Sequence, residues 1–205
     1  MKKGLFITLE GPDGSGKTTQ AKRLGAYLEK IGLEVVLTRE PGGTDLAETL
    51  RSLALSPEIT MSKRVESLLH VAARADHVDK VIRPSLKAGK VVICDRFSDS
   101  TLVYQGILGG MDLDELECLS LFGSAGLMPD VTFLIDGDPR ILLTRRQARG
   151  VTDKFEAQGL SFQETIRQGY LALSARYPER ILLIDGEGDP DSITRTLIKK
   201  VEKFL

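Results

Sequence analysis

Residues 5–19 read Leu-Phe-Ile-Thr-Leu-Glu-Gly-Pro-Asp-Gly-Ser-Gly-Lys-Thr-Thr, and this stretch decides the fold. The run Leu5–Leu9 is almost continuously apolar, as a strand covered on both faces should be. Gly11–Thr18 then matches G-x-x-x-x-G-K-[ST] directly after that strand and at the start of a helical pattern. Glycines let the backbone curl so that successive N–H groups converge on phosphate oxygens, and the following helix adds its positive end. In such a loop Lys17 bridges the β- and γ-phosphates, and the Thr18 hydroxyl helps to hold Mg²⁺. Gly11, Pro12, Asp13, Gly14, Ser15, Gly16, Lys17, Thr18 and Thr19 are therefore expected to bind ATP.

Working outward, four more short apolar runs follow at Val35–Leu37, Val91–Cys94, Val131–Ile135 and Ile181–Ile184. Helical patterns separate them. Ala21, Leu24, Leu28 and Ile31 form one stripe, with Gly32 placed as a C-terminal cap. Val65, Leu68, Leu69 and Ala72 form another, in a helix expected to end near Pro84 or Gly89. Further helices are expected over Leu113–Phe122, Pro139–Arg145, Ser161–Arg176 and Ser192–Phe204. Strands alternating with helices predict an α/β fold, with a parallel sheet and helices on both faces. No linker divides the 205 residues, so residues 1–205 form a single domain. The stretch from about 145 to 157 is charged and lacks a helical period, and reads as a mobile surface segment.

Ligands of open parallel sheets bind at the carboxyl ends of the strands. The conspicuous polar residues collect there: Arg39-Glu40-Pro41-Gly42-Gly43 after the second strand and Asp95-Arg96 after the third. The formal net charge is -1, so the global balance asks for neither nucleic acid nor an anionic membrane. Cys94 and Cys118 carry no metal or redox spacing and are expected to be small buried hydrophobes. His70 and His77 belong to no recognisable metal-ligand set. No signal-peptide pattern or long apolar stretch occurs, so the expectation is a cytoplasmic protein. The phosphate loop leaves the acceptor open. With no Asn-Lys-x-Asp run, a guanine switch has little support, and this chain length suits a small-molecule kinase.

The segments Thr38-Arg39-Glu40-Pro41-Gly42-Gly43-Thr44 and Asp95-Arg96-Phe97-Ser98-Asp99-Ser100-Thr101-Leu102-Val103-Tyr104-Gln105-Gly106 resemble the two hallmark segments of thymidylate kinases. The phosphate loop and Ala72-Ala73-Arg74 match the family in order and spacing, and the likeness runs from about Leu5 to Ile184. The resemblance implies a three-layer P-loop NTPase fold of the nucleoside monophosphate kinase type, with a five-stranded parallel sheet in the order 2-3-1-4-5. It implies ATP-dependent phosphorylation of dTMP to dTDP for dTTP synthesis, with Mg²⁺, in a homodimer. It also suggests a cis Glu40–Pro41 bond.

By the same resemblance, Asp13 accepts a hydrogen bond from the sugar 3′-hydroxyl, and Arg39 and Arg96 clamp the acceptor phosphate. Planar guanidinium groups suit that task. Asp95 is placed to reach hydrated Mg²⁺ or orient the attacking phosphate, or is a plain strand-end carboxylate. Arg74 meets the thymine edge, Tyr104 lies beneath the sugar, and Ser100 and Gln105 belong to the same acceptor site. His70 stands where the family usually has a stacking Phe. Imidazole can stack too, with less apolar area. The loop carries Gly14 where some members have an arginine, which resembles the bacterial type with a basic lid. Arg145 would then contact ATP, and Arg149 and Lys154 the transferring phosphate, Lys154 replacing a family arginine. The remaining alternatives are a kinase for another nucleotide or nucleoside, an ATP-holding regulatory module, and a nucleic-acid-dependent ATPase. The last lacks a basic stripe with interleaved aromatics.

Overall fold

The computed structural model describes residues 4–147 and 159–205. Strand β1 (Leu5–Glu10) runs through the phosphate loop into α1 (Lys17–Lys30). Strand β2 (Val35–Arg39) is followed by α2 (Asp45–Leu55) and α3 (Lys63–His77). The latter widens into a π turn over Val78–Ile82 and closes as α4 (Arg83–Lys87). Strand β3 (Val91–Asp95) leads to α5 (Ser98–Thr101), a second π segment over Leu102–Ile107, and α6 (Leu113–Gly123). Then come β4 (Val131–Asp136), α7 (Pro139–Gln147), α8 (Leu160–Arg176), β5 (Ile181–Asp185) and α9 (Pro190–Val201).

The sheet is parallel throughout, as the alternation of strands and helices predicts, and runs in the order β2-β3-β1-β4-β5 that the family resemblance implies. Alternate residues of the inner strands feed opposite layers. Ile7, Ile93, Phe133 and Ile135 pack with Leu24 and Leu28 of α1 and Leu197 of α9. Phe6, Val92 and Cys94 face Val78, Ile82 and Phe97 on the other side. Leu134 joins Leu116, Ile166 and Tyr170 there. With both faces covered, these strands show the unbroken apolar runs read from the sequence. Registration places Leu9 beside Asp95, and Arg39 beside Asp95 on the other flank. The polar strand ends therefore share one edge.

Three local expectations need correction. Helix α2 had no place in the sequence reading, because only Ala47 and Ala54 face inward and its apolar stripe is thin; Thr44 Oγ1 caps it by accepting from Ala47 N at 3.1 Å. Cys94 is buried, but Cys118 is exposed on α6. Helix α3 is turned the other way from its pattern: Val65, Leu68 and Ala72 face outward, whereas Glu66, Ser67, His70, Arg74 and His77 are buried. Periodicity located the helix correctly, but the rule that the apolar stripe faces inward fails where the interior is a polar cavity. The Glu40–Pro41 bond is cis, as expected.

Candidate active site

The phosphate loop is shaped by backbone. Gly11 sits at φ 141°, Gly14 at 88° and Gly16 at 94°, a region L side chains rarely enter. A Cβ on Gly11 would lie 2.3 Å from the Ile135 carbonyl oxygen, and one on Gly14 would lie 2.4 Å from that of Leu142. Gly16 also starts α1, so the first N–H groups of that helix open onto the loop. Lys17 folds across the loop and donates to the carbonyl oxygens of Gly11 and Pro12, each at 2.9 Å. Burial and then Arg96 bring its ammonium pKa down to about 8. Thr18 Oγ1 donates to Asp95 Oδ2 at 2.5 Å, joining the helix start to the end of β3. Ser15 Oγ is buried with no hydrogen-bond partner among the described residues. Thr19 is exposed on the first turn of α1.

Beside the loop lies an open cavity lined among others by Asp13, Arg51, His70, Arg74, Arg96 and Tyr104. Pro41, Ser100 and Gln105 complete much of the remaining wall. Asp13 joins loop to cavity, because its Oδ1 accepts from Arg96 Nη2 at 2.5 Å. Arg96 adopts φ 71°, a strained conformation for a non-glycine residue, directly after β3. Its Nη1 donates to Tyr170 Oη at 2.8 Å and to Ser100 Oγ at 3.0 Å, and its guanidinium lies 5.3 Å from the Tyr104 ring centre. Burial works against the Arg96 charge, but Tyr104, Tyr170, Asp13 and Glu10 outweigh it and hold the group firmly protonated.

Behind Arg96 sits Glu10, the last residue of β1. Its carboxylate accepts from the backbone N–H of Phe97 at 2.7 Å, from Ser100 Oγ at 2.6 Å and from Tyr170 Oη at 3.0 Å. Burial first, and the charge of Asp99 next, push its pKa up to about 7. On the far wall, Arg74 donates from Nε to Glu40 Oε2 at 2.8 Å and from Nη2 to Thr101 Oγ1 at 3.1 Å. Gln105 Nε2 donates to Glu66 Oε1 at 2.8 Å. Tyr104 and Gln105 lie on the π segment Leu102–Ile107, where Leu108 N bonds back five residues to Val103 O at 2.9 Å. Such widened turns are frequent at functional sites.

The structure thus gathers Asp13, His70, Arg74, Arg96, Ser100, Tyr104 and Gln105 around one cavity, with Lys17, Thr18 and Asp95 beside it. Arg39 is not part of that lining. It lies exposed at the end of β2, where Nη2 pairs with Glu48 at 3.0 Å. Arg145 ends up against the loop after β5, donating to the carbonyls of Gly186 and Glu187 at 2.7 and 3.0 Å. Arg149 and Lys154 lie outside the described residues, as does most of the stretch expected to form a lid; residues 145–147 belong to α7. Sequence reasoning passed over Glu10, Glu40, Arg51, Glu66 and Tyr170. Glu10 and Glu40 carried a signal, a carboxylate at the end of each of the first two apolar strands, which flank β3 in the sheet. Tyr170, deep in a long helix, carried none.

A family model described as Thymidylate kinase matches residues 9–196. The chain is 47% identical to a thymidylate kinase of Pseudomonas putida (strain GB-1), covering 95% of this chain and 93% of that one. It is 44% identical to a thymidylate kinase of Solidesulfovibrio magneticus, covering 98% and 100% respectively. The crystal structure of thymidylate kinase from Ehrlichia chaffeensis superposes with a TM-score of 0.80 at 35% identity, over 97% of this chain and 98% of that chain. The chain belongs to the thymidylate kinase family.

Proposed function

We propose that this chain transfers the γ-phosphoryl group of ATP to dTMP, giving dTDP for dTTP synthesis and ADP. The observation that carries this reading is the junction of two differently built compartments. A phosphate loop meets a polar cavity at Asp13, which accepts from Arg96 and from Tyr104. Phosphoryl transfer between two anions needs alignment and charge compensation more than covalent help from protein. Lys17 serves the donor phosphates, and Arg96 the acceptor phosphate. Arg51 lines the cavity and is better placed than Arg39 for a second guanidinium there, since Glu48 holds Arg39 at the rim. Asp13 and Tyr104 face the sugar. His70 offers its ring to the base, and Arg74 offers Nη1, which has no hydrogen-bond partner among the described residues. Arg145 stands at the edge of the ATP base site. Arg149 and Lys154 add the positive charge that Gly14 leaves out of the loop.

The oxygen donors of Thr18 and Asp95, 2.5 Å apart, suit a hard divalent cation completed by water and phosphate oxygens. Mg²⁺ bound there would neutralise charge on the transferring group. No helix of the described residues is long and apolar enough to cross a membrane, and both cysteines are free thiols, which fits a reducing cytoplasm. The outward stripe of α3, with Val65 and Leu68, is the surface we assign to a homodimer. An acceptor panel tests the activity: ADP formation from ATP is expected to depend on acceptor and to be fastest with dTMP, ahead of dUMP, dCMP and thymidine. ADP release indifferent to the acceptor would overturn the reading.

A further inference from the structure

His77 is fully buried behind the acceptor cavity and contributes nothing to its lining. Both ring nitrogens are nevertheless engaged. Nδ1 lies 3.1 Å from Glu40 Oε1, and Nε2 lies 2.6 Å from Thr38 Oγ1. A carboxylate only accepts, so the proton belongs on Nδ1, and in the neutral ring Nε2 accepts from the Thr38 hydroxyl. The ring is also wedged beneath the turn after Pro41. A Cβ on Gly43 would come within 2.5 Å of Nε2, so the glycine there leaves room for imidazole.

We propose that His77 is a positioning residue for base recognition. By holding one oxygen of Glu40, it makes the other oxygen fix the direction in which Arg74 faces the acceptor. This rests on the placement of the dTMP base against Arg74 proposed above. Arg74 is 2% exposed and leans over the Phe97 ring at 5.0 Å. Its Nε and Nη2 are committed to Glu40 and Thr101, and Nη1 has no partner among the described residues. A guanidinium only donates. Nη1 therefore favours a base presenting an oxo group and disfavours one presenting an amino group, which would leave a buried donor unpaired. Without His77, Glu40 Oε1 would be free to turn to Nη2, the nitrogen on the same side as Nε–H, and close a two-pronged carboxylate–guanidinium pair in competition with Thr101. That pair would rotate the guanidinium and turn Nη1 away from the base.

The test is steady-state kinetics with dTMP and dCMP on the intact enzyme and its His77→Leu, His77→Asn and Thr38→Val variants. His77→Leu fills similar space without hydrogen bonds. It is expected to raise KM for dTMP roughly tenfold, the loss of about one charge-assisted hydrogen bond. It should lower the dTMP-to-dCMP ratio of kcat/KM by a similar factor and leave KM for ATP unchanged. Asparagine can place an N–H near the position of Nδ1, so His77→Asn should recover most of the ratio. Thr38→Val should move it in the same direction as His77→Leu, by less. If His77→Leu does not fold, the other two variants decide through the same ratio. A folded His77→Leu with unaltered KM and ratio would overturn the inference, as would a His77→Asn no better than leucine. Unmutated enzyme that used dCMP as readily as dTMP would overturn the base placement itself, and is distinguishable because no variant is involved.

Discussion

The donor loop and the acceptor cavity lie side by side and are made of different material. The loop presents peptide groups, its shape is held by glycines with positive φ, and its single buried cation rests on its own carbonyls. The cavity presents charged and polar side chains from the turns after β2 and β3, from α2, α3, α5 and the π segment, and these interlock: Arg74 with Glu40, Arg96 with Asp13, Gln105 with Glu66. A backbone cradle serves any chain of phosphates, so it needs little information. A base and a sugar must be told from close relatives, and that requires donors and acceptors in fixed directions, which only interlocked side chains supply. The first arrangement is tolerant of its surroundings. The second fails as a unit.

That contrast can be broken most directly on the acceptor side. Replacing Glu40 by Leu leaves Arg74 and His77 buried without their carboxylate. It should cost roughly 3–5 kcal/mol, seen as a lower midpoint in urea. A Glu40→Leu/Arg74→Met double variant should be less destabilised than the sum of its parts, and strict additivity would refute the interlock. On the donor side the sensitive element is backbone. Gly11→Ala meets a carbonyl as well as a strained φ and should lose about 1–3 kcal/mol. Gly16→Ala, with open space around its Cβ, should lose about 1 kcal/mol. Equal losses in thermal melts would deny that the Ile135 carbonyl matters.

The two sides also differ in their response to pH. Lys17 has a pKa of about 8 in the free loop, and bound phosphates raise it, so ATP binding takes up a proton above that value. Affinity for ATP should be level below about pH 8 and fall as pH rises beyond it, by up to about tenfold per unit. Titration calorimetry between about pH 6.5 and about pH 9.5 would show it, and a flat profile would contradict it. The smallest effect belongs to Arg39. Its pair with Glu48 is exposed, so Arg39→Ala should change stability by less than about 1 kcal/mol. A larger loss would mean the rim is as interlocked as the interior.

What could be read from the chain follows the same division. Backbone requirements leave marks on sequence: the glycines of residues 11–16, the apolar runs of the strands and the arginine and carboxylates at their ends pointed to a parallel sheet and to the correct edge, while the strand order came from the family resemblance. Side-chain partnerships leave few marks. Tyr170 is 74 residues from Arg96, and no periodicity links them. The Arg180–Asp99 pair, at 2.6 Å, is equally silent in one dimension. Arg39 draws the phosphate-clamp assignment and Arg51 escapes notice, because the place of Arg51 depends on how α2 packs, and α2 is too weakly patterned to see. The apolar stripe of α3 misled for a physical reason: periodicity reports that a helix has two faces, not which of them meets water.

Helix α3 is, in effect, a party wall. Its inner side carries His70, Arg74 and His77, and its outer side carries Val65 and Leu68. A helix with its side chains is only about 10 Å across, and nothing else separates the two sides. Whatever leans on the outer stripe therefore leans, through one helix, on the residues that meet the base. A neighbour seated there would be a structural tenant of the pocket without ever touching what the pocket holds.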